Sequence, residues 1–352
     1  MSEGVRTLHP VMSERIKAIV QTRYGSVDDL ELGEIIKPVP GADEVLVRVH
    51  AASVHPDIWH AITGLPYVMR IMGSGLFKPK EPVPGIDMAG HVVSVGKDVT
   101  RFQPGDEVFG EVVHGNQWKN GGAYAELVAV SEAKLALKPP NVSFEQAAAA
   151  GTAGLIAVNN LRGRVQPGQK VVVNGAGGGV GMIAVQISKA HGAEVTGIDN
   201  TEKLDLLRSL GADHVVDYTR QDFTQDGPQY DLMIDVVGSH PFSDYRRVLT
   251  PDATYVLIGH DGFGKSAGRW VGSIRRFLKL LVLSPFVSQN IATSYAEPDE
   301  DPLNTVRVLL ETGGITPIVS HTYLLAEVPE AIRHMVEGNP VGRIVISLIS
   351  TD

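Results

Sequence analysis

The chain has 352 residues, 43 % hydrophobic and 20 % charged, ordinary values for a soluble globular protein with room for two domains. A formal net charge of −9 argues against a nucleic-acid partner, and the absence of cysteine excludes disulfides, thiolate catalysis and Cys-ligated zinc. The first residues, Met1 to Arg6, lack the apolar core of a signal peptide, and no apolar run reaches the ~18 residues of a membrane span, so the expected location is the cytoplasm.

In chain order, short β patterns come first. Residues 16–20 and 44–50 read as strands, the second alternating cleanly after the turn at 40–43. Residues 91–95, 107–110 and 123–130 are further strands, so 1–140 is expected to be a β-rich, barrel-like domain. The character changes at Pro139-Pro140. Residues 144–161 are alanine-rich and helix-prone, and Ser143 with Gln146 has capping-box spacing. Strands at 171–174, 194–198, 214–217, 231–236 and 253–258 then alternate with helices at 180–191, 201–210 and about 241–249. This is the signature of a doubly wound α/β domain over 141–313, with a parallel sheet and its ligand at the carboxyl ends of the strands. A strand at 318–323, a helix at 328–337 and a strand at 343–348 form a 314–352 tail that can rejoin the first domain.

Residues 269–283 break the pattern, being basic and apolar at helical spacing. A membrane-surface helix has this character, and so has a helix docked over a cofactor site or a subunit interface. The acidic chain and the short stretch favour docking over membrane contact, and leave a homodimer open.

The densest motif is the β-branched run 171–173 leading into Gly175-Ala176-Gly177-Gly178-Gly179-Val180-Gly181 and an apolar helix. Ala176-x-Gly178-x-x-Gly181 is a dinucleotide fingerprint with Ala in first place. Gly175 and Gly177 allow a tight turn, Gly178 close approach of a pyrophosphate, and Gly181 helix–strand packing. Gly179 and Val180 open the helix whose N–H groups face the phosphates. Asp199, after the second strand, suits the adenine ribose hydroxyls; it could equally cap the next helix.

The ordered segments 49–56, 84–90, 95–109, 208–218 and 230–238, with this motif, resemble the medium-chain dehydrogenase/reductase superfamily, in its zinc-free quinone oxidoreductase-like branch. The resemblance spans about 15–350. It implies a GroES-like catalytic domain, closed by the C-terminal tail, around a Rossmann domain. It also implies NAD(P)H-dependent reduction of a small molecule, a quinone or an α,β-unsaturated carbonyl. It places Lys203 and Tyr218 at the adenosine 2′-phosphate of some relatives, Arg343 at the pyrophosphate, and Gly238 and Gly259 beside the ribose and nicotinamide.

Zinc-dependent relatives use Cys, His and Cys; those places hold His55, Ile86 and about Gly151-Thr152 here, so no zinc is expected. Asp87 is expected to pair with a basic neighbour rather than bind metal. A conjugated acceptor needs no Lewis acid, because charge spreads into an enolate or quinol oxygen; simple alcohols are poorer substrates without one. Tyr67, His55 and His60 are the candidate proton donors; Tyr67 reads equally as a packed aromatic, and the histidines as solvated or capping loop groups. Asp199 and Glu202 would repel a 2′-phosphate while Lys203 attracts it, a balance that leans to NADH. Two other functions remain: a metal-independent alcohol or carbonyl dehydrogenase, and a non-catalytic nucleotide-binding scaffold or sensor.

Overall fold

The computed structural model describes residues 14–113, 122–259, 268–272, 274–292, 301–337 and 340–349. Residues 1–6, read above for a signal peptide, lie outside them.

The first half is built of strands β1 (Arg15–Gln21), β2 (Leu30–Ile36), β3 (Glu44–Ser53), β4 (Asp87–Val95), β5 (Glu107–Glu111), β6 (Leu127–Ser131) and β7 (Leu135–Leu137). Two short helices, α1 (Ile58–Thr63) and α2 (Tyr67–Met69), interrupt them between β3 and β4. The second half alternates: α3 (Phe144–Leu161), β8 (Lys170–Asn174), α4 (Gly179–Ala190), β9 (Glu194–Asp199), α5 (Leu204–Ser209), β10 (His214–Asp217), β11 (Tyr230–Asp235), α6 (Phe242–Tyr245), β12 (Leu249–Leu257), α7 (Ile274–Leu283), β13 (Asn290–Ala292) and α8 (Pro302–Glu311). The chain closes with β14 (Val319–Leu324), α9 (Val328–Glu337) and β15 (Arg343–Ser347).

β1 and β2 form a separate antiparallel pair, and a seven-stranded sheet runs β14-β15-β3-β4-β5-β7 with β6 also on β3. The tail therefore does rejoin the first sheet, through β15 antiparallel to β3. The second sheet is parallel throughout, in the order β10-β9-β8-β11-β12-β13. Its direction of progress reverses between β8 and β11, which is where such a sheet opens a cleft beyond its carboxyl ends. Val171, Val172 and Val173 of β8 are fully buried, the continuous apolar run of a parallel strand covered on both faces.

Helix α3 joins the two halves. Ala147 to Ala150, Ala153 and Ala157 are buried and share one core with Ala51, Ala89 and Phe109 of the first sheet and Val171 and Val173 of the second. Only small residues permit this approach: a Cβ on Gly154 would stand 2.9 Å from Val306 of α8.

Three elements depart from the sequence reading. The helix expected at about 241–249 is the four-residue α6, and β12 begins at Leu249. The carbonyl of Val248 accepts from the N–H groups of both Gln229 and Tyr230, which draws the chain into the sheet early. The strand expected from 123 starts at Leu127, since Ala125 instead bridges to Ala18. Residues 201–210 split into a 3-10 turn and α5. Among the described residues no helix is long and apolar enough to cross a membrane.

The α3 capping box is formed: the Ser143 hydroxyl accepts from the Gln146 N–H at 3.2 Å, and the Gln146 side chain accepts from the Ser143 N–H at 3.1 Å. Ser143→Ala is expected to cost about 1 kcal/mol in urea denaturation. An unchanged midpoint would mean that packing alone fixes the start of α3.

Candidate active site

A cavity of about 610 Å³ opens at the carboxyl ends of β8, β9 and β11. The turn after β8 makes its floor. Gly175 adopts φ +82, a left-handed conformation that suits glycine. A Cβ on Gly181 would stand 2.2 Å from the Gly175 carbonyl oxygen, so α4 could not pack against the turn with any larger residue there. Gly178 is the N-cap of α4 and supplies no side-chain cap, leaving the first-turn N–H groups to a ligand. Gly175, Gly178, Gly179 and Val180 line the cavity; Ala176 and Gly181 lie beneath, packing turn against helix.

Asp199 ends β9 and is buried. Its Oδ2 accepts from the Gly177 N–H at 2.8 Å and its Oδ1 from the Asn200 N–H at 2.9 Å. Lys203 Nζ lies 3.6 Å from Asp199 Oδ1, and both side chains are buried. The Lys203 chain crosses the glycine turn, since a Cβ on Gly177 would meet its Cδ at 2.5 Å. Asp199, Lys203 and Tyr218 all line the cavity. Burial, then the carboxylates of Asp199 and Asp217, raise the pKa of the half-exposed Tyr218 hydroxyl.

The opposite wall carries Arg343, at the start of β15 and buried. Its side chain reaches the start of α4: a Cβ on Gly179 would stand 2.7 Å from Arg343 Cδ and 2.8 Å from Nη1. Nη2 donates to Ser53 Oγ at 2.7 Å and lies 3.5 Å from Asp87 Oδ2. Nε is buried without a hydrogen-bond partner. A cation with a spare donor beside open helix N–H groups fits a pyrophosphate.

Asp87 has the basic neighbour expected of it. It is fully buried and accepts from Ser53 Oγ at 2.6 Å, the Thr152 N–H at 2.7 Å and Thr152 Oγ1 at 2.6 Å. Thr152 Oγ1 is also 2.8 Å from Glu111 Oε1. A hydroxyl has one proton, so it cannot donate to two carboxylates. Glu111 resolves the conflict by carrying a proton itself: burial, and next the Asp87 carboxylate, push its pKa up from 4.5 to about 7.

The candidate proton donors separate. His55 and His60 line the cavity; Tyr67 is not among the lining residues. The Tyr67 ring packs edge-on against Trp270 with centroids 5.4 Å apart, and the guanidinium groups of Arg70 and Arg269 lie 4.9 and 6.0 Å from its centroid. His55 is buried, and that burial holds its pKa below the ordinary imidazole range. Its Nδ1 lies 3.3 Å from the Asp57 N–H and 3.5 Å from Asp57 Oδ2. Nδ1 thus faces a donor and an acceptor of the same residue; where it accepts from the N–H, the proton of the neutral ring is on Nε2. His60 Nδ1 lies 2.6 Å from the Leu65 carbonyl, which can only accept, so that nitrogen carries the proton.

The remaining wall hangs on Asp235, fully buried at the end of β11. It accepts from Tyr255 Oη at 2.6 Å, Asn174 Nδ2 at 2.8 Å and the Gly238 N–H at 2.8 Å. Arg276 of α7 donates to the carbonyls of Gly238 and His240, clamping the loop whose Val236, Val237, Ser239 and His240 line the cavity. Gly259 lines it too, where a Cβ would stand 2.1 Å from the Val236 carbonyl oxygen. Of the two glycines the sequence points to here, Gly259 lines the cavity and Gly238 lies in the loop without lining it, while Asp235, Arg276, Ser53 and Glu111 carry no such sequence signal.

The donors present do not fit a catalytic zinc. Asp87 is committed to Ser53, Thr152 and Arg343, Ile86 supplies no ligand, and no three His, Asp or Glu side chains group for a metal among the described residues.

Comparison with known proteins places this geometry. Residues 41–140 match the alcohol dehydrogenase GroES-like domain, and 210–346 match a family described as zinc-binding dehydrogenase. The chain is 31 % identical over 344 residues to 2-methylene-furan-3-one reductase of Solanum lycopersicum, covering 94 % of this chain and 79 % of that one. It is 38 % identical over 237 residues to the chloroplastic NADPH-dependent alkenal/one oxidoreductase of Arabidopsis thaliana, 64 % of this chain and 58 % of that one. The solved quinone oxidoreductase of Coxiella burnetii superposes with a TM-score of 0.78 at 25 % identity, covering 96 % of this chain and all of the other. The chain belongs to the medium-chain dehydrogenase/reductase superfamily, in its quinone oxidoreductase-like branch. It is an NAD(P)-dependent oxidoreductase.

Glu111 gives the site a pH signature. The folded state keeps a proton that the unfolded chain releases, so its contribution to stability falls as pH rises from about 4.5 to about 7. The lowered pKa of His55 acts in the opposite sense, so the comparison must be with a variant. Glu111→Gln, neutral throughout, is expected to gain stability on the unmutated protein as pH rises from about 5 to about 7 in paired urea denaturations. A difference independent of pH would show Glu111 to be ionised across the range.

Proposed function

We propose that the protein reduces quinones or α,β-unsaturated carbonyls, and does so without a metal. The observation that carries this reading is the cavity itself. One wall is an open helix N-terminus facing buried Arg343, and the other holds two imidazoles and no metal-ligand set. A bound nicotinamide nucleotide would supply the hydride. Gly178, Gly179 and Arg343 would hold its pyrophosphate, and Asp199 its adenine ribose. The loop 236–240 would border the nicotinamide. Neutral His55 would donate a hydrogen bond from Nε2 to the acceptor oxygen, stabilising the charge that develops there. His60 is the second candidate, as an imidazolium, because the proton of its neutral ring is held by the Leu65 carbonyl, and Tyr67 the third, since its ring is engaged with Trp270.

His55→Gln is expected to lower kcat with a simple enone by about 10²-fold while changing KM for the nucleotide little. Tyr67→Phe should lower it less. The unmutated reference is assayed before and after dialysis against EDTA, with equal turnover expected. Wild-type turnover in His55→Gln would remove His55 from the reaction, and loss of activity on dialysis would remove the metal-free reading.

NADH is the proposed cofactor, although the Arabidopsis relative is named for NADPH. Support comes from the buried Asp199 carboxylate, which would repel a 2′-phosphate, and from Lys203 lying against Asp199. Exposed Glu202 adds to the repulsion. The kcat/KM ratio is expected to favour NADH roughly tenfold, the effect of ~1.4 kcal/mol of like-charge repulsion, and Asp199→Ser should narrow it. A preference for NADPH in the unmutated protein would show that Lys203 and Tyr218 dominate.

A further inference from the structure

Helix α7 is docked through one face and open on the other. At about 100° per residue, Arg276, Leu280 and Leu283 fall together on one side of it. Leu280 is buried in the second sheet's core, with Leu283 packed against that core, and Arg276 clamps the loop at the cavity. Phe277, Leu278, Leu281 and Val282 fall on the other side, and all four are exposed, Val282 by 70 %. Arg275 and Lys279 run along the edge between the two faces. Trp270 just before the helix is 74 % exposed, and Phe286 just after it 80 %.

This segment is also electrically unlike the rest of the chain. From 262 to 296 the sequence holds five basic residues and no acidic one, within a protein of net charge −9. It adjoins the cavity on both sides. Arg276 grips the loop that contributes Ser239 and His240, and the carbonyls of Arg269 and Trp270 accept from the N–H groups of Tyr67 and Val68, a few residues beyond His60. The turn that follows Val68 carries Phe77, 87 % exposed, and Lys78 and Lys80.

The sequence favours docking over membrane contact; α7 is docked through one face only, and we propose that its open, apolar and basic-edged surface rests on an anionic lipid bilayer and sets the mouth of the cavity at the membrane. Three observations select that occupant. The basic edge matches the sign of an anionic surface. The open face of α7 offers no hydrogen-bonding side chain, which a bilayer does not need and a specific protein interface normally has. Two antiparallel copies of α7 packed face to face across a two-fold axis would lie basic edge beside basic edge, like charge near like. The purpose, drawing an apolar acceptor from the lipid, rests on the reductase reading; the binding itself does not.

The full chain is sedimented with vesicles of phosphatidylcholine alone and of equal parts phosphatidylcholine and phosphatidylglycerol, without nucleotide or acceptor. Binding is expected to be about tenfold stronger on the anionic vesicles and to weaken with added salt. Phe277→Ser with Leu281→Ser, and separately Arg275→Glu with Lys279→Glu, should each lower it about tenfold. Both pairs should keep turnover on a water-soluble quinone in the absence of vesicles, and Leu281→Met should keep binding. No binding of the unmutated protein to anionic vesicles overturns the proposal, as does binding indifferent to both pairs. So does a homodimer that these substitutions dissociate in a protein that ignores vesicles. Failure to bind leaves the reductase reading standing, and failure to turn over leaves the binding result standing.

Discussion

One buried carboxylate organises the molecule. Asp87 on β4 is held by Ser53 of β3, by the backbone and hydroxyl of Thr152 in α3, and by Arg343 of β15. Glu111 of β5 joins through Thr152. Burying a charge this deeply is tolerable only because each lone pair meets a donor or a cation. The same contacts fix where Arg343 stands. Without the carboxylate the guanidinium would be a buried cation with no counter-charge there, left with the neutral Ser53 hydroxyl as its hydrogen-bond partner. The carboxylate thus sets Arg343 against the start of α4.

The second constraint is steric. Helix α3 is buried along one face against strands of the first sheet and along another against α4 and α8, and its buried positions from Ala147 to Gly154, alanine or glycine but for Thr152, leave room for both. Gly151 marks the closest point: a Cβ there would stand 2.6 Å from Asp87 Oδ1. The helix that joins the two cores thus also presents Thr152 to the carboxylate. A boundary at 140 divides the sequence by composition, yet the hydrophobic core runs through it.

Much of this was legible in the sequence because it depends on local pattern. The strands of the parallel sheet announce themselves by β-branched runs, the nucleotide turn by glycines that backbone geometry requires, and α3 by its capping box. The resemblance to a family located Arg343, and the lack of ligands at Ile86 and Thr152 pointed to a paired role for Asp87. What stayed hidden depends on residues far apart in the chain. Glu111 reads as an ordinary polar strand end, and only the meeting of its carboxyl with Thr152 and Asp87 reveals its raised pKa. Asp235 looks like a turn residue after a strand, and its clamp on the 236–240 loop needs Tyr255, Asn174 and Arg276 to be assembled first. Tyr67 was chosen for its place in a loop; the partners that engage its ring, Trp270 and Arg269, lie some 200 residues away.

The link between Ser53 and Arg343 spans 290 residues of chain. β3 therefore cannot acquire its β15 neighbour until almost everything between them has been synthesised. During that interval one flank of the first sheet lacks its strand partner, and an unpaired strand flank invites pairing with other chains. Arrival of Arg343 at the cavity and closure of that flank are a single event, since β15 brings both. A nascent chain thus gains Arg343 at the cavity at the moment it ceases to be prone to intermolecular pairing there.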